Sequence, residues 1–75
     1  MSPKLPLLSG EEVCKILKKL GFKEIRQKGS HKYLKHPDGR CTTVPIHPGR
    51  DIGRGLLREI LNDIGLKREE FMKFT

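Results

Sequence analysis

The sequence predicts an α+β fold: one helix, three antiparallel strands, a second helix and a short third helix, in that order. Three observations carry this. Residues 9–20 and 54–65 place apolar side chains at helical spacing. Between them, Gly29-Ser30 and Pro37-Asp38-Gly39 cut the chain into three segments of strand length. A chain of 75 residues has room for one domain only, residues 1–75, so all elements must share one core. The economical arrangement is two helices on one face of a three-stranded sheet, with the other face in water.

Residues 1–8 read as an extended lead-in, because Pro3 and Pro6 resist helix. Ser9 is then an N-cap, and Glu12 three residues later completes a capping box. Leu8 and Val13 have the spacing of a hydrophobic staple. Val13, Ile16, Leu17 and Leu20 form the apolar face of this helix, and Gly21 ends it. Residues 22–28 make a first strand with weak alternation. Gly29-Ser30 is a two-residue turn of the Gly-X type, and residues 31–36 make the second strand. Gly39 can take positive φ in the next turn. Residues 40–46 make the third strand, and Pro45 places it at a sheet edge because it cannot donate to a ladder. Residues 47–49 are loop. Leu56, Leu57, Ile60, Leu61 and Ile64 form the stripe of the second helix, closed by Gly65. Residues 67–74 make a short last helix with Phe71 and Phe74 turned inward. The double-stranded-RNA-binding domain has the same α-β-β-β-α order, which by itself says nothing of activity.

The net charge is +7, and it is unevenly placed. Residues 15–50 hold ten basic side chains and only two acids, Glu24 and Asp38. Such a one-sided excess suits a polyanion, most simply nucleic acid. Cys14 and Cys41 are far apart, whereas secreted proteins of this size usually carry several disulfides. Two lone thiols and an apolar core suit a reducing cytoplasm. The N-terminus lacks the pattern of a signal peptide, and no run is long enough to span a membrane. There is no C-x-x-C, no histidine pair at helical spacing and no carboxylate cluster, so no metal site and no cofactor are expected.

The chemistry gathers at Lys28-Gly29-Ser30-His31. Side chains alternate along a strand. If Leu34 faces the helices, His31, Tyr33 and Lys35 face solvent, with Arg26, Lys28 and Lys32 nearby in the hairpin. Histidine exchanges protons near neutral pH and suits metal-free RNA cleavage. RNA carries its own nucleophile, the 2′-OH, and lysine and arginine can stabilise the phosphorane. Backbone N–H groups of Gly29 and Ser30 can meet a phosphate oxygen. From spacing alone, an ordinary surface histidine at a turn is the favoured reading of His31. His47 is either a second acid–base group or phosphate contact, or a structural hydrogen-bond partner. His36, before Pro37, reads as a solvated turn residue.

Gly21-Phe22 followed by Arg26-Gln27-Lys28-Gly29-Ser30-His31 resembles the signature hairpin of the HicA toxins, the YcfA-like mRNA interferases. The run VPIHPGRDIGRGLLREILNDIGLKREEF is similar to that family's second half, at Pro45, His47, Gly49, Gly55, Leu57, Ile60, Leu61, Gly65 and Phe71. The resemblance covers residues 9–74. It implies a double-stranded-RNA-binding-like fold, endoribonuclease activity on mRNA, and a cognate HicB-like antitoxin that covers the active histidine. The family's catalytic histidine falls on His31. The family's second helix often begins with proline, where this chain has Arg54, a difference of capping. The competing function is a non-catalytic RNA-binding module using the same basic face.

Overall fold

A computed structural model describes residues 5–75; part of the extended lead-in, with Pro3, lies outside the described residues. Leu8–Ser9 form a short strand, β1, which leads directly into helix α1, Gly10–Lys19. The capping box is present: the Ser9 hydroxyl accepts from the Glu12 N–H at 3.2 Å, and the Ser9 N–H donates to the Glu12 carboxylate at 3.1 Å. Two orphan donors of the first turn are satisfied by these bonds. Leu20 is the C-cap, and Gly21 follows at φ 101°, a left-handed position that a side chain would strain. That glycine turns the chain back so that Phe22 enters the core.

Three strands follow: β2 (Lys23–Lys28), β3 (His31–Lys35) and β4 (Cys41–Pro45), in the antiparallel order β2-β3-β4. The first hairpin turns at Gly29, φ 58°, with Ser30 at negative φ, as a Gly-X turn requires. Pro45 lies on an edge strand, and pairing continues one residue further through the Ile46 N–H to the Ser30 carbonyl at 2.6 Å. Asp51–Ile52, β5, returns to pair with β1, placing Leu8 opposite Ile52 and Ser9 opposite Asp51. This two-stranded ribbon has no signal in the sequence pattern; it ties the start of α1 to the start of the second helix. Helix α2 (Arg54–Asp63) ends at Ile64 and Gly65, and α3 (Arg68–Met72) closes the chain.

The order α-β-β-β-α of the double-stranded-RNA-binding domain is therefore present, in an α+β fold with a short C-terminal helix. Both long helices pack on β4 and bury Val13, Leu17, Leu34, Val44, Leu57, Ile64 and Phe71 to 1% exposure or less. Two expectations fail. Leu56 and Phe74 are 40% and 38% exposed, so the stripe of α2 is narrower than its sequence suggests and only Phe71 of the last segment enters the core. All six residues of β2 are exposed, because β2 is an edge strand away from α2. Its weak alternation thus has a physical origin.

Arg40 holds the far end together. It donates to Asp38 at 2.8 Å and to the Ile64 carbonyl at 2.8 Å, and its guanidinium lies 5.4 Å from the Phe22 ring centre. A cation is thereby set on the negative end of α2.

Candidate nucleic-acid interface

The strand register assembles a grid on the sheet face turned away from the helices. Lys28, His31 and Pro45 lie opposite one another across β2, β3 and β4; Arg26, Tyr33 and Thr43 form the next row, and Lys23, Lys35 and Cys41 the third. Directly opposed residues share a face, and rows two residues apart are separated by about 7 Å. None of the nine is acidic.

A β-bulge makes this composition possible. Register shifts between Glu24 and Arg26, leaving Ile25 as the extra residue. Strict alternation from Lys28 would put Glu24 on the outer face. The bulge instead sets Glu24 opposite Leu34, on the helix side, and Lys23 opposite Lys35, on the outer side. One acid leaves the face and one cation joins it.

The cations fall into two groups. Lys23, Arg26, Lys28 and Lys35 on the outer face have no acidic partner among the described residues. Lys32 points the other way. Its ammonium lies 3.0 Å from Glu24 and 3.1 Å from Glu11 of α1, and its side chain is 14% exposed. Lys18 joins the cluster through Glu24 at 3.3 Å. The hydrogen bond from Lys32, ahead of that from Lys18, holds the Glu24 carboxyl below the usual glutamate range; the carboxylates raise the Lys32 ammonium in return. Of the hairpin residues singled out in the sequence, the structure brings together Arg26, Lys28, His31, Tyr33 and Lys35 and sets Lys32 apart, on a helix-to-sheet clamp.

His31 is exposed at the start of β3, beside the Gly29-Ser30 turn. That turn is pinned on both sides: the Gln27 side chain donates to the Gly29 carbonyl at 3.1 Å, and the Ser30 carbonyl receives Ile46. A Cβ placed on Gly29 would meet nothing within 4 Å, so its backbone is open to a ligand. Tyr33 is half-buried in the middle row, with the Arg26 guanidinium 4.8 Å above its ring centre.

His47 is exposed two residues beyond Pro45, the cross-strand partner of His31, in a turn closed by the Arg50 N–H to the His47 carbonyl at 3.0 Å. It borders a groove of about 150 Å³ with Pro45, Arg50 and Leu56. His36 departs from expectation. It is packed, not solvated: its ring meets Phe22 edge-on at 5.1 Å, sits against Gly21, and accepts the Asp38 N–H at 3.1 Å. Its place before Pro37 is legible in the sequence; the ring of Phe22 beneath it is not.

Sequence reasoning also missed Gly10. It is buried, and a Cβ there would collide with the Pro45 carbonyl oxygen and lie 2.8 Å from Ile46. The signal that could have exposed it is a glycine in the first turn of an otherwise well-capped helix, which costs stability unless close packing requires it. Among the two thiols, Cys14 is buried and pushed up to about 11 by that burial, while Cys41 is exposed in the third row of the grid. Among the described residues no group of three His, Cys, Asp or Glu side chains could hold a metal ion, and no helix is long and apolar enough to cross a membrane.

No curated protein matches the chain. The family whose model matches it, over residues 10–66, is described as the HicA toxin of bacterial toxin–antitoxin systems. That span runs from the glycine packed on β4 to the end of α2 and contains the whole grid.

Proposed function

The chain belongs to the HicA toxin family of bacterial toxin–antitoxin systems, and from that premise we propose that it is an mRNA interferase, an endoribonuclease that cleaves RNA with His31 and a basic sheet face. One observation carries the reading: the exposed histidine shares its face with four cations that have no acidic partner among the described residues, while Lys32, on the opposite face of the sheet, is engaged by Glu11 and Glu24. A phosphodiester laid across the face meets positive charge without first displacing a carboxylate.

The chemistry asks little of the protein. His31 accepts the proton of the 2′-OH, whose oxygen forms a bond to phosphorus as the bond to the 5′-oxygen breaks. The products are a cyclic phosphate and a free 5′-OH. Lys28, directly opposite His31, and the N–H groups of Gly29 and Ser30 stabilise the added negative charge. Arg26 and Lys35 hold the flanking phosphates. His47 is the accessory group for the proton taken up by the departing oxygen. No metal ion takes part in this scheme. The reaction takes place in the cytoplasm, where mRNA is found and where Cys14 and Cys41 remain thiols. A HicB-like antitoxin, acidic or neutral, covers the same face and blocks access to His31.

The test is incubation of purified protein with single-stranded RNA in EDTA. Cleavage that persists and leaves a cyclic phosphate supports the scheme. Complete loss in EDTA with recovery on adding Mg²⁺ or Mn²⁺ overturns it.

A further inference from the structure

We infer that the Tyr33–Arg26 pair is a stacking platform for an unpaired nucleobase of the RNA. This rests on the RNA-cleaving reading above and adds what the face recognises besides phosphate.

Tyr33 occupies the centre of the grid, one row from His31 and on the same face. The spacing is about 7 Å, the scale on which consecutive nucleotides of an extended strand repeat. With a phosphate at His31, the neighbouring base falls on Tyr33. The ring is already layered with the Arg26 guanidinium at 4.8 Å, and both planes are surfaces on which bases stack. Beside the ring lies a depression of about 380 Å³, lined besides Tyr33 by Ile25, Leu34, Cys41, Thr42, Thr43 and Asp63. Ile25 is 58% exposed, an apolar side chain held out by the bulge. The Asp63 carboxylate in this lining repels a phosphate, whereas the flat face and donor-bearing edge of a base fit an apolar side chain beside an acceptor. In duplex RNA the bases are stacked on one another and present only their edges and the backbone, so the platform has nothing to receive.

The chain has one tyrosine and no tryptophan, so its intrinsic emission comes from Tyr33 alone. The experiment titrates the non-cleaving His31→Ala protein with a short single-stranded RNA, with an abasic ribose-phosphate strand of equal length, and with the paired duplex. Emission is corrected for absorption by the RNA. The single strand should quench Tyr33 and the other two should not. Tyr33→Leu should weaken single-strand binding roughly 5- to 150-fold, as loss of one base stack does, and leave abasic binding unchanged; Tyr33→Phe should restore it. Tight single-strand binding with no quenching and no loss in Tyr33→Leu would overturn the platform while leaving the RNA-cleaving reading intact. If none of the three nucleic acids binds, both fall together.

Discussion

Gly10 lies directly against the backbone carbonyl of Pro45, and Pro45 stands opposite His31 across the strand pair. The first turn of α1 is thus the floor beneath the row that holds the histidine. No side chain fits between them.

Gly10→Ala therefore drives a methyl group into the Pro45 carbonyl, a backbone contact that movement of the nearby Ile46 side chain cannot relieve. The expected loss is about 1–3 kcal/mol, the cost of overpacking a tight site. For a domain of this size that lowers Tm by roughly 4–8 °C per kcal/mol. Thermal melting measures it, and RNA cleavage should fall as β4 shifts beneath His31. A variant that melts with the wild type would show that the helix and β4 can separate freely.

Lys28 and Lys32 stand four residues apart and should respond in opposite ways to charge reversal. Lys28→Glu should weaken RNA binding and flatten its salt dependence, with little change in Tm. Lys32→Glu should lower stability by about 1 kcal/mol or more, because it sets a third carboxylate beside Glu11 and Glu24. Fluorescence-anisotropy titrations with salt, paired with melts, separate the two effects. If Lys32→Glu behaves as Lys28→Glu does, the clamp is not formed in solution.

The sign of the pH dependence follows from the same clamp. The Glu24 carboxyl is held below its ordinary value, so its contribution is present above about pH 4.3 and lost as pH falls through the lowered folded value. Lys32 is raised, so its share persists below the ordinary lysine range and disappears as pH rises through the folded value. In melts across an acid series, Glu24→Gln should lose Tm less steeply than the wild type and start lower at neutral pH. Parallel acid limbs would contradict the pairing.

Local signals in the sequence are legible where local chemistry decides. The capping box at Ser9 and Glu12, the turns at Gly29 and Gly39, the edge position of Pro45 and the helix end at Gly65 all follow from residue type at a fixed offset. What escaped depends on distant partners. The β1–β5 ribbon joins residues separated by most of the chain and is too short to alternate. Glu11 reaches Lys32 from another element, so proximity in the hairpin could not show where that charge is engaged. The bulge at Ile25 leaves no composition signal, yet it decides that Lys23 and not Glu24 joins the face of His31. His36 packs on Phe22 because the glycine turn brings the two together.

The most direct test of the central claim is a paired measurement on His31→Ala: thermal melting and RNA cleavage on the same preparation. His31 is exposed at a strand start and contributes little to the core, so stability should stay within about 0.5 kcal/mol of wild type. Loss of a general acid–base group should cost a factor of roughly 10²–10⁴ in rate, while RNA binding persists through Lys23, Arg26, Lys28 and Lys35. A folded His31→Ala protein that binds RNA but no longer cleaves it is the predicted result. A folded variant that cleaves at the wild-type rate, or one that fails to fold, would contradict the catalytic assignment.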